Sequence, residues 1–292
     1  MTGGAMSRTC PVCEGTFREH RKGWLFRCER CRLLASNLRP ELNRDDEALD
    51  EAARYEALRD LRHANFETIL DVLERCGLAR GARLLDVGCG HGGLLEHAAL
   101  RGLHPVGVEP DVTISDIARA RCASVLTGLF PEVLKPNDRF EALTFNDVLE
   151  HLPDVTAAIA AAKAHLIPNG FLVVNLPLAT GFFYRMATVL DRVGYPGPLE
   201  RLWQVNFPSP HLFYFTAPQV AQIAARVGFR EVVRTFLPSL DVRGLWPRLR
   251  YDKSRRLLSC LLLWPLLAAL VPILRSLPKD IGLQVFVPDQ SP

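Results

Sequence analysis

Arg83-Leu84-Leu85-Asp86-Val87-Gly88-Cys89-Gly90-His91-Gly92-Gly93 is a short apolar run that breaks into a cluster of glycines, and the rest of the chain reads outward from it. Such a run predicts a strand buried on both faces, as in a parallel sheet. The glycines after it can take positive φ and bring backbone close to a ligand at the start of the next helix, which Leu94, Leu95 and Ala98 carry. Further strands are expected over residues 105–109, 123–126, 140–146 and 171–176, with a helix over 155–166. This alternation predicts an α/β, Rossmann-like, doubly wound and mainly parallel sheet. A helix over 218–227 and strands over 229–237 and 281–287 extend it. Upstream, Leu58, Leu61, Phe66, Ile69, Leu70 and Leu73 recur at helical spacing between residues 47 and 76, and Gly77 stops that helix.

Taken alone, the glycine turn leaves its ligand open, because Gly88, Gly90 and Gly93 also satisfy the G-x-G-x-x-G spacing of dinucleotide binders. Three features favour S-adenosylmethionine over a nicotinamide cofactor. Asp86 precedes the first glycine, where a carboxylate repels a pyrophosphate but accepts hydrogen bonds from a cationic amino-acid group. Glu109 closes the next strand, at the interval where an acid bonds ribose hydroxyls; nicotinamide enzymes share that feature. The segment FEALTFNDVLEHLPD (140–154) then stands where the methionine end of the donor is lined.

Together, LLDVGCGHGG (84–93), VGVEPD (106–111), FEALTFNDVLEHLPD, LIPNGFLVVNLP (166–177) and HLFYFTAPQVAQIAARVGF (211–229) occur in a familiar order. Over residues 55–236 the chain resembles class I S-adenosylmethionine-dependent methyltransferases, in the group that includes the ubiquinone-biosynthesis O-methyltransferases. The resemblance implies that Asp86, Gly88, Gly90 and Gly92 surround the methionine moiety, with Cys89 in the same turn. It implies Glu109 at the ribose with Pro110 beside it, Gly128 and Leu129 at the adenine, and Asn146 and Asp147 near the amino-acid end.

Methyl transfer needs proximity and, for a hydroxyl acceptor, a base or a metal. Asp147, Glu150 and His151 follow the fourth strand, at the sheet edge where doubly wound folds keep their ligands. Their acid-x-x-Glu-His arrangement is similar to the Glu-x-x-Glu-His metal motif of ubiquinone-pathway and small-RNA 2'-O-methyltransferases, with aspartate for the first glutamate. His211 offers a fourth ligand or a general base. Three readings stay open here: a divalent ion such as Mg, a histidine base, or a helix start tied by Glu150 and His151.

The 292 residues are 48% hydrophobic, enough for one large α/β domain and one small appendage. A formal charge of +3 makes no case for a nucleic-acid binder. The N-terminus lacks an apolar run of the secretory kind, which predicts a cytoplasmic protein in a reducing compartment. There, two Cys-x-x-Cys pairs, Cys10 with Cys13 and Cys28 with Cys31, predict a structural zinc site rather than disulfides. Glu14 and Arg32 stand after the second cysteines, where such knuckles often carry glycine. The expected organisation is a zinc ribbon over 1–36 with a hairpin over 17–26, a linker over 37–46, and the donor-binding domain over 47–292.

Within that domain, 178–210 is expected to close over the acceptor, and 245–279 to form an apolar helical insertion before the last strand. Residues 257–274 approach a membrane span in length but carry Pro265 and Pro272, and both ends are expected to return to one sheet. The basic residues around the stretch, including Arg248, Arg250, Lys253 and Lys279, suit peripheral contact with a membrane surface; a lid or dimer face is the other reading. The expected acceptor is a small or lipid-linked metabolite. RNA, a catalytically silent donor-binding scaffold and a nicotinamide reductase are the alternatives.

Overall fold

The computed structural model describes residues 9–20, 22–40, 51–122, 124–240 and 277–289, with Trp246, Leu261, Leu263, Trp264 and Pro265 from the stretch between. Strand β4 (Arg83–Val87) forms where the sequence places it, with Leu84 and Leu85 fully buried. Burying such a side chain contributes about 1.5–3 kcal/mol, and it fixes β4 in the interior of the sheet, between β7 and β5. The chain then lays down α2 (Gly93–Leu100), β5 (His104–Glu109), α3 (Val112–Arg121) and β6 (Val125–Thr127) on one side of β4. It returns to the other side with β7 (Phe140–Asn146), α4 (Val155–His165) and β8 (Leu166–Pro177). The strand order is β10-β11-β8-β7-β4-β5-β6, with β10 (Phe229–Leu237) and β11 (Ile281–Pro288) at one edge. Strand β11 runs antiparallel to both its neighbours, and the other ladders are parallel. The order reverses between β4 and β7, so a crevice opens at their carboxyl ends.

Local chemistry sets the helix starts. Asp111 and Asp154 accept hydrogen bonds from Ile114 N–H and Ala157 N–H, and a Thr216/Gln219 capping box begins α7 (Ala217–Arg226). Helix α1 (Glu51–Arg75) lays Phe66, Ile69, Leu70 and Leu73 against α2 and one face of the sheet. Gly93 permits this approach, because a Cβ there would lie 2.6 Å from the Phe66 ring.

The N-terminal segment forms β1 (Phe17–His20), β2 (Lys22–Cys28) and β3 (Leu34–Ser36). The hairpin is as expected, but the sheet has a further member: β9 (Phe213–Tyr214), from the far end of the large domain, pairs with β3. Cys10, Cys28, Leu33 and Ala35 are accordingly buried in the same core as Phe145, Phe213 and Ile223.

Three further expectations differ from the structure in their bounds. Strand β8 begins at Leu166 rather than at 171, carrying Pro168-Asn169-Gly170 through an irregular stretch opposite Phe140. Strand β6 starts two residues late and Ala123 lies outside the described residues. The aromatic stretch 178–210 holds two helices, α5 (Phe182–Arg192) and α6 (Gly197–Leu202), around the fully buried Trp203. The expected linker is described only to residue 40, and the apolar stretch 257–274 lies almost wholly outside the described residues. Among the described residues no helix is long and apolar enough to cross a membrane.

Candidate active site

The glycine turn at the end of β4 is held by backbone hydrogen bonds from Gly88 N–H and Cys89 N–H to the Val108 carbonyl, at 2.7 and 3.1 Å. Its glycines serve different needs. Gly88 has φ +68°, and a Cβ there would lie 2.6 Å from Cγ2 of Val148. Gly92 has φ +79° and lies against the Ala118 backbone. Gly90 has φ +52°, yet a Cβ built on it would meet nothing within 4 Å among the described residues, so this peptide faces space that they leave open. Cys89 turns inward to pack with Leu95, Ala118 and Val125, which leaves only its backbone at the turn.

Both acids expected at the donor lie beside this turn. The Glu109 carboxylate accepts from Gly90 N–H at 2.9 Å and from Asp111 N–H at 3.0 Å, tying the turn to the end of β5. Burial raises its pKa, and those two N–H groups pull it partly back. Asp86 is 1% exposed and accepts from the Thr144 hydroxyl at 2.6 Å, a pairing set by the β4–β7 register, which places Asp86 opposite Thr144. Burial first, and then the charge of Glu109, push Asp86 up to about 7 against the Thr144 hydrogen bond. Two carboxylates whose charges oppose each other in a buried volume favour a positively charged ligand. Gly128 stands at the end of β6 with φ +143° and donates its N–H to the Glu109 carbonyl; Leu129 beside it is exposed, and Pro110 is half-buried.

At the end of β7, Asn146 is followed by Asp147 with φ +55°, and a 3-10 turn (Leu149–His151) comes next. The structure brings Glu150, His151 and His211 together, one potential ligand atom from each lying within 4.8 Å of the others. It does not place Asp147 in that group. The left-handed backbone at Asp147 carries its carboxylate toward Asn175, whose amide lies 3.5 Å away, so the expected acid-x-x-Glu-His set is completed by His211 rather than by the aspartate.

Glu150 is 1% exposed, and neither carboxylate oxygen has a hydrogen-bond partner among the described residues. Burial, and then the charge of Asp147, raise its pKa well above the ordinary range. His151 Nδ1 lies 3.0 Å from the Pro210 carbonyl, which can only accept, and 3.2 Å from the Ser209 hydroxyl, so Nδ1 is the ring atom that donates to the carbonyl. The ring packs edge-on against His211, centroids 4.7 Å apart, and the Gln204 amide reaches His211 Nε2 at 2.9 Å.

The four N-terminal cysteines also converge. Cys10 Sγ lies 3.4 Å from Cys31 Sγ, Cys13 Sγ lies 3.5 Å from Cys28 Sγ, and all four sulfurs fall within 4.8 Å of one another. Tetrahedral zinc with Zn–S bonds of about 2.3 Å separates its sulfurs by about 3.8 Å, so the donor set fits. Glu14 and Arg32 take φ +59° and +68°, the conformation that glycine supplies in most such knuckles.

Further along the same sheet edge, an apolar pocket of about 430 Å³ opens between the start of α5 and the ends of β10 and β11. Phe182, Phe183, Phe236, Leu237, Pro278 and Lys279 line it.

Several contributors carry no motif of their own. Thr144, Gln204 and Asn175 act on the candidate residues only through tertiary contacts. Thr144 faces the buried acid only through the β4–β7 register, which no local run of sequence announces.

A family model described as a methyltransferase domain matches residues 59–234. The ubiquinone biosynthesis O-methyltransferase of Rhodopseudomonas palustris (strain HaA2) is 32% identical over 105 residues, 32% of this chain and 39% of that protein. Its counterpart in Bradyrhizobium diazoefficiens is 33% identical over 131 residues, 40% of this chain and 47% of that protein. The chain thus spans under half the length of these relatives. Among solved structures, a SAM-dependent methyltransferase from Archaeoglobus fulgidus aligns with TM-score 0.54 at 15% identity, over 82% of this chain and 100% of that one. The geranyl diphosphate C-methyltransferase of Streptomyces coelicolor A3(2) aligns with TM-score 0.51 at 15% identity, over 86% and 89%. At that identity the two structures speak for the fold.

Proposed function

This chain belongs to the methyltransferase domain family, and from that premise we propose that it transfers the methyl group of S-adenosylmethionine to a small or lipid-linked metabolite. The observation that carries the reading is the open Gly90 peptide tied to the Glu109 carboxylate, above the buried Asp86. Glu109 would take the ribose hydroxyls, the Gly88–Gly92 turn the amino-acid end, and Gly128 with Leu129 the adenine. The apolar pocket beside α5 supports an apolar acceptor body, and the two helices of 178–210 would close over it.

In the transfer, an acceptor lone pair forms a bond to the methyl carbon as the carbon–sulfur bond breaks. Its electron pair stays on sulfur, which becomes a neutral thioether. The acceptor's proton passes to His151 Nε2, whose lone pair the Pro210 carbonyl fixes in place. Glu150, His151 and His211 also suit a divalent cation, since a buried carboxylate without partners is stabilised by a positive charge. Such an ion would lower the pKa of an acceptor hydroxyl. Cys10, Cys13, Cys28 and Cys31 would hold one structural zinc.

Calorimetry with S-adenosylhomocysteine and with NADH tests the donor assignment: the first is expected to bind and the second not, and the reverse result overturns it. Incubation with methyl-tritiated donor and separated cell fractions tests the acceptor. Label is expected in the apolar metabolite fraction, and label in RNA instead would replace that part of the reading.

A further inference from the structure

The His211 loop is built from both ends of the chain. Of the four backbone polar groups of His211 and Leu212, Ser36 engages two: its Oγ donates to the His211 carbonyl at 2.6 Å, and its N–H donates to the Leu212 carbonyl at 2.9 Å. The remaining two bonds run from His211 N–H to the Trp203 carbonyl and from Leu212 N–H to the Glu150 carbonyl. Immediately afterwards, β9 is only two residues long, and its ladder partners are Leu34 and Ala35 of β3. Two residues of strand cannot hold themselves in place.

Strand β3 emerges directly from the second cysteine knuckle. Cys28 N–H donates to the Leu33 carbonyl, and Arg32 N–H to the Cys28 carbonyl. The knuckles are in turn anchored on α7, where Gln219 donates to the Cys31 carbonyl and Arg226 to the carbonyls of Pro11 and Val12. Arg32 is held in a left-handed conformation that costs a non-glycine residue energy, a cost that a metal bound by the four thiolates would help to offset.

We propose that the four-cysteine module is a positioning element of the acceptor-side cluster, acting through Ser36, which holds the His211–Leu212 backbone against Glu150. The inference rests on the zinc reading of the module and on the cluster of Glu150, His151 and His211. It assigns Ser36, a fully buried serine with no place in any methyltransferase motif read above, as the residue through which metal occupancy reaches the cluster. Because the glycine turn, Glu109 and Asp86 make none of these bonds, donor binding stands apart from it.

The test uses the full chain labelled with 15N-histidine, comparing wild type before and after zinc removal, Cys31→Ser, Ser36→Ala and Ser36→Thr. Zinc content, histidine side-chain spectra and S-adenosylhomocysteine affinity are measured on each. Zinc removal, Cys31→Ser and Ser36→Ala are expected to shift the His151 and His211 resonances while leaving His63 and His97 in place. Donor-product affinity should stay within about twofold, and turnover should fall about ten- to a hundredfold, as a displacement near 1 Å in a catalytic group does. Ser36→Thr, which keeps the hydroxyl, should restore both spectrum and turnover. Unmoved His151 and His211 signals on zinc loss and in Ser36→Ala would overturn the proposal. So would collapse of the whole histidine spectrum together with donor binding, since the module would then hold the fold rather than the cluster. If wild type fails to bind S-adenosylhomocysteine, the methyltransferase reading fails, while the spectra still report whether zinc and Ser36 position His211.

Discussion

Replacing Gly88 and Gly90 separately by alanine distinguishes a turn that merely packs from a turn that receives a ligand. Both glycines have positive φ, so each alanine costs about 1–2 kcal/mol of backbone strain. At Gly88 the new methyl also meets Val148 Cγ2 at 2.6 Å, and overpacking of that kind adds about 1–3 kcal/mol. The total for Gly88→Ala is then about 2–5 kcal/mol, a fall in Tm on the order of 10 °C for a domain of this size. Gly90→Ala meets no atom of the described residues within 4 Å, so it should lower Tm by roughly 2–6 °C. Yet its methyl would project into the space assigned to the donor, and loss of one close approach there should weaken S-adenosylhomocysteine binding at least about tenfold, equivalent to about 1.4 kcal/mol. Differential scanning fluorimetry gives the first quantity and titration calorimetry the second. A Gly90→Ala protein that binds S-adenosylhomocysteine as tightly as wild type would refute the placement of the donor on this turn.

Other perturbations probe the acids and the cluster. Glu109→Gln turns one acceptor oxygen into a donor facing Gly90 N–H or Asp111 N–H, and should cost donor affinity about tenfold or more by calorimetry. Asp86 stands at about 7 against an ordinary 3.8, so the folded protein holds its proton where the unfolded chain has lost it. Its stabilising contribution is complete below the lower value and is lost as pH rises through about 7; Tm of the donor-free protein should fall across that window, and Asp86→Asn should flatten the slope. A cationic donor should bind more tightly as pH rises through the same range, with proton release measurable from the buffer dependence of the heat. Glu150→Gln and His211→Asn should reduce turnover about 10²–10⁴-fold while leaving donor-product affinity close to wild type, measured by single-turnover methyl transfer alongside calorimetry.

The parts of this fold that were legible in the sequence are those in which local pattern and burial agree. Strand β4 and the turn after it carry their signal in adjacent residues, and the β4–α2 unit forms as expected. The two buried acids could be located from their positions relative to the glycines, but their partners could not. Thr144 reaches Asp86 only once β7 is set beside β4 in register. The stretch 178–210 shows the opposite case: Phe182–Arg192 forms an amphipathic helix burying Tyr184 and Ala187, which the glycine- and proline-rich sequence around it did not announce. His211 could be picked out as a fourth ligand beside Glu150 and His151, whereas the exclusion of Asp147 from their cluster depends on one left-handed residue. The β3–β9 ladder has no local signature, because two residues at each side carry no periodicity.

That ladder also imposes an order of events on the newborn chain. The cysteine knuckles and β3 are made long before Phe213–Tyr214, so the four thiolates are in place early while one strand edge of the module waits uncovered. Exposed strand edges recruit other strands, and Leu34-Ala35-Ser36 offers such an edge until the polypeptide has grown past Tyr214. A chain halted before that point would carry a sticky N-terminus. Slow passage of the ribosome through residues 178–210 would therefore be expected to raise aggregation rather than merely delay maturation.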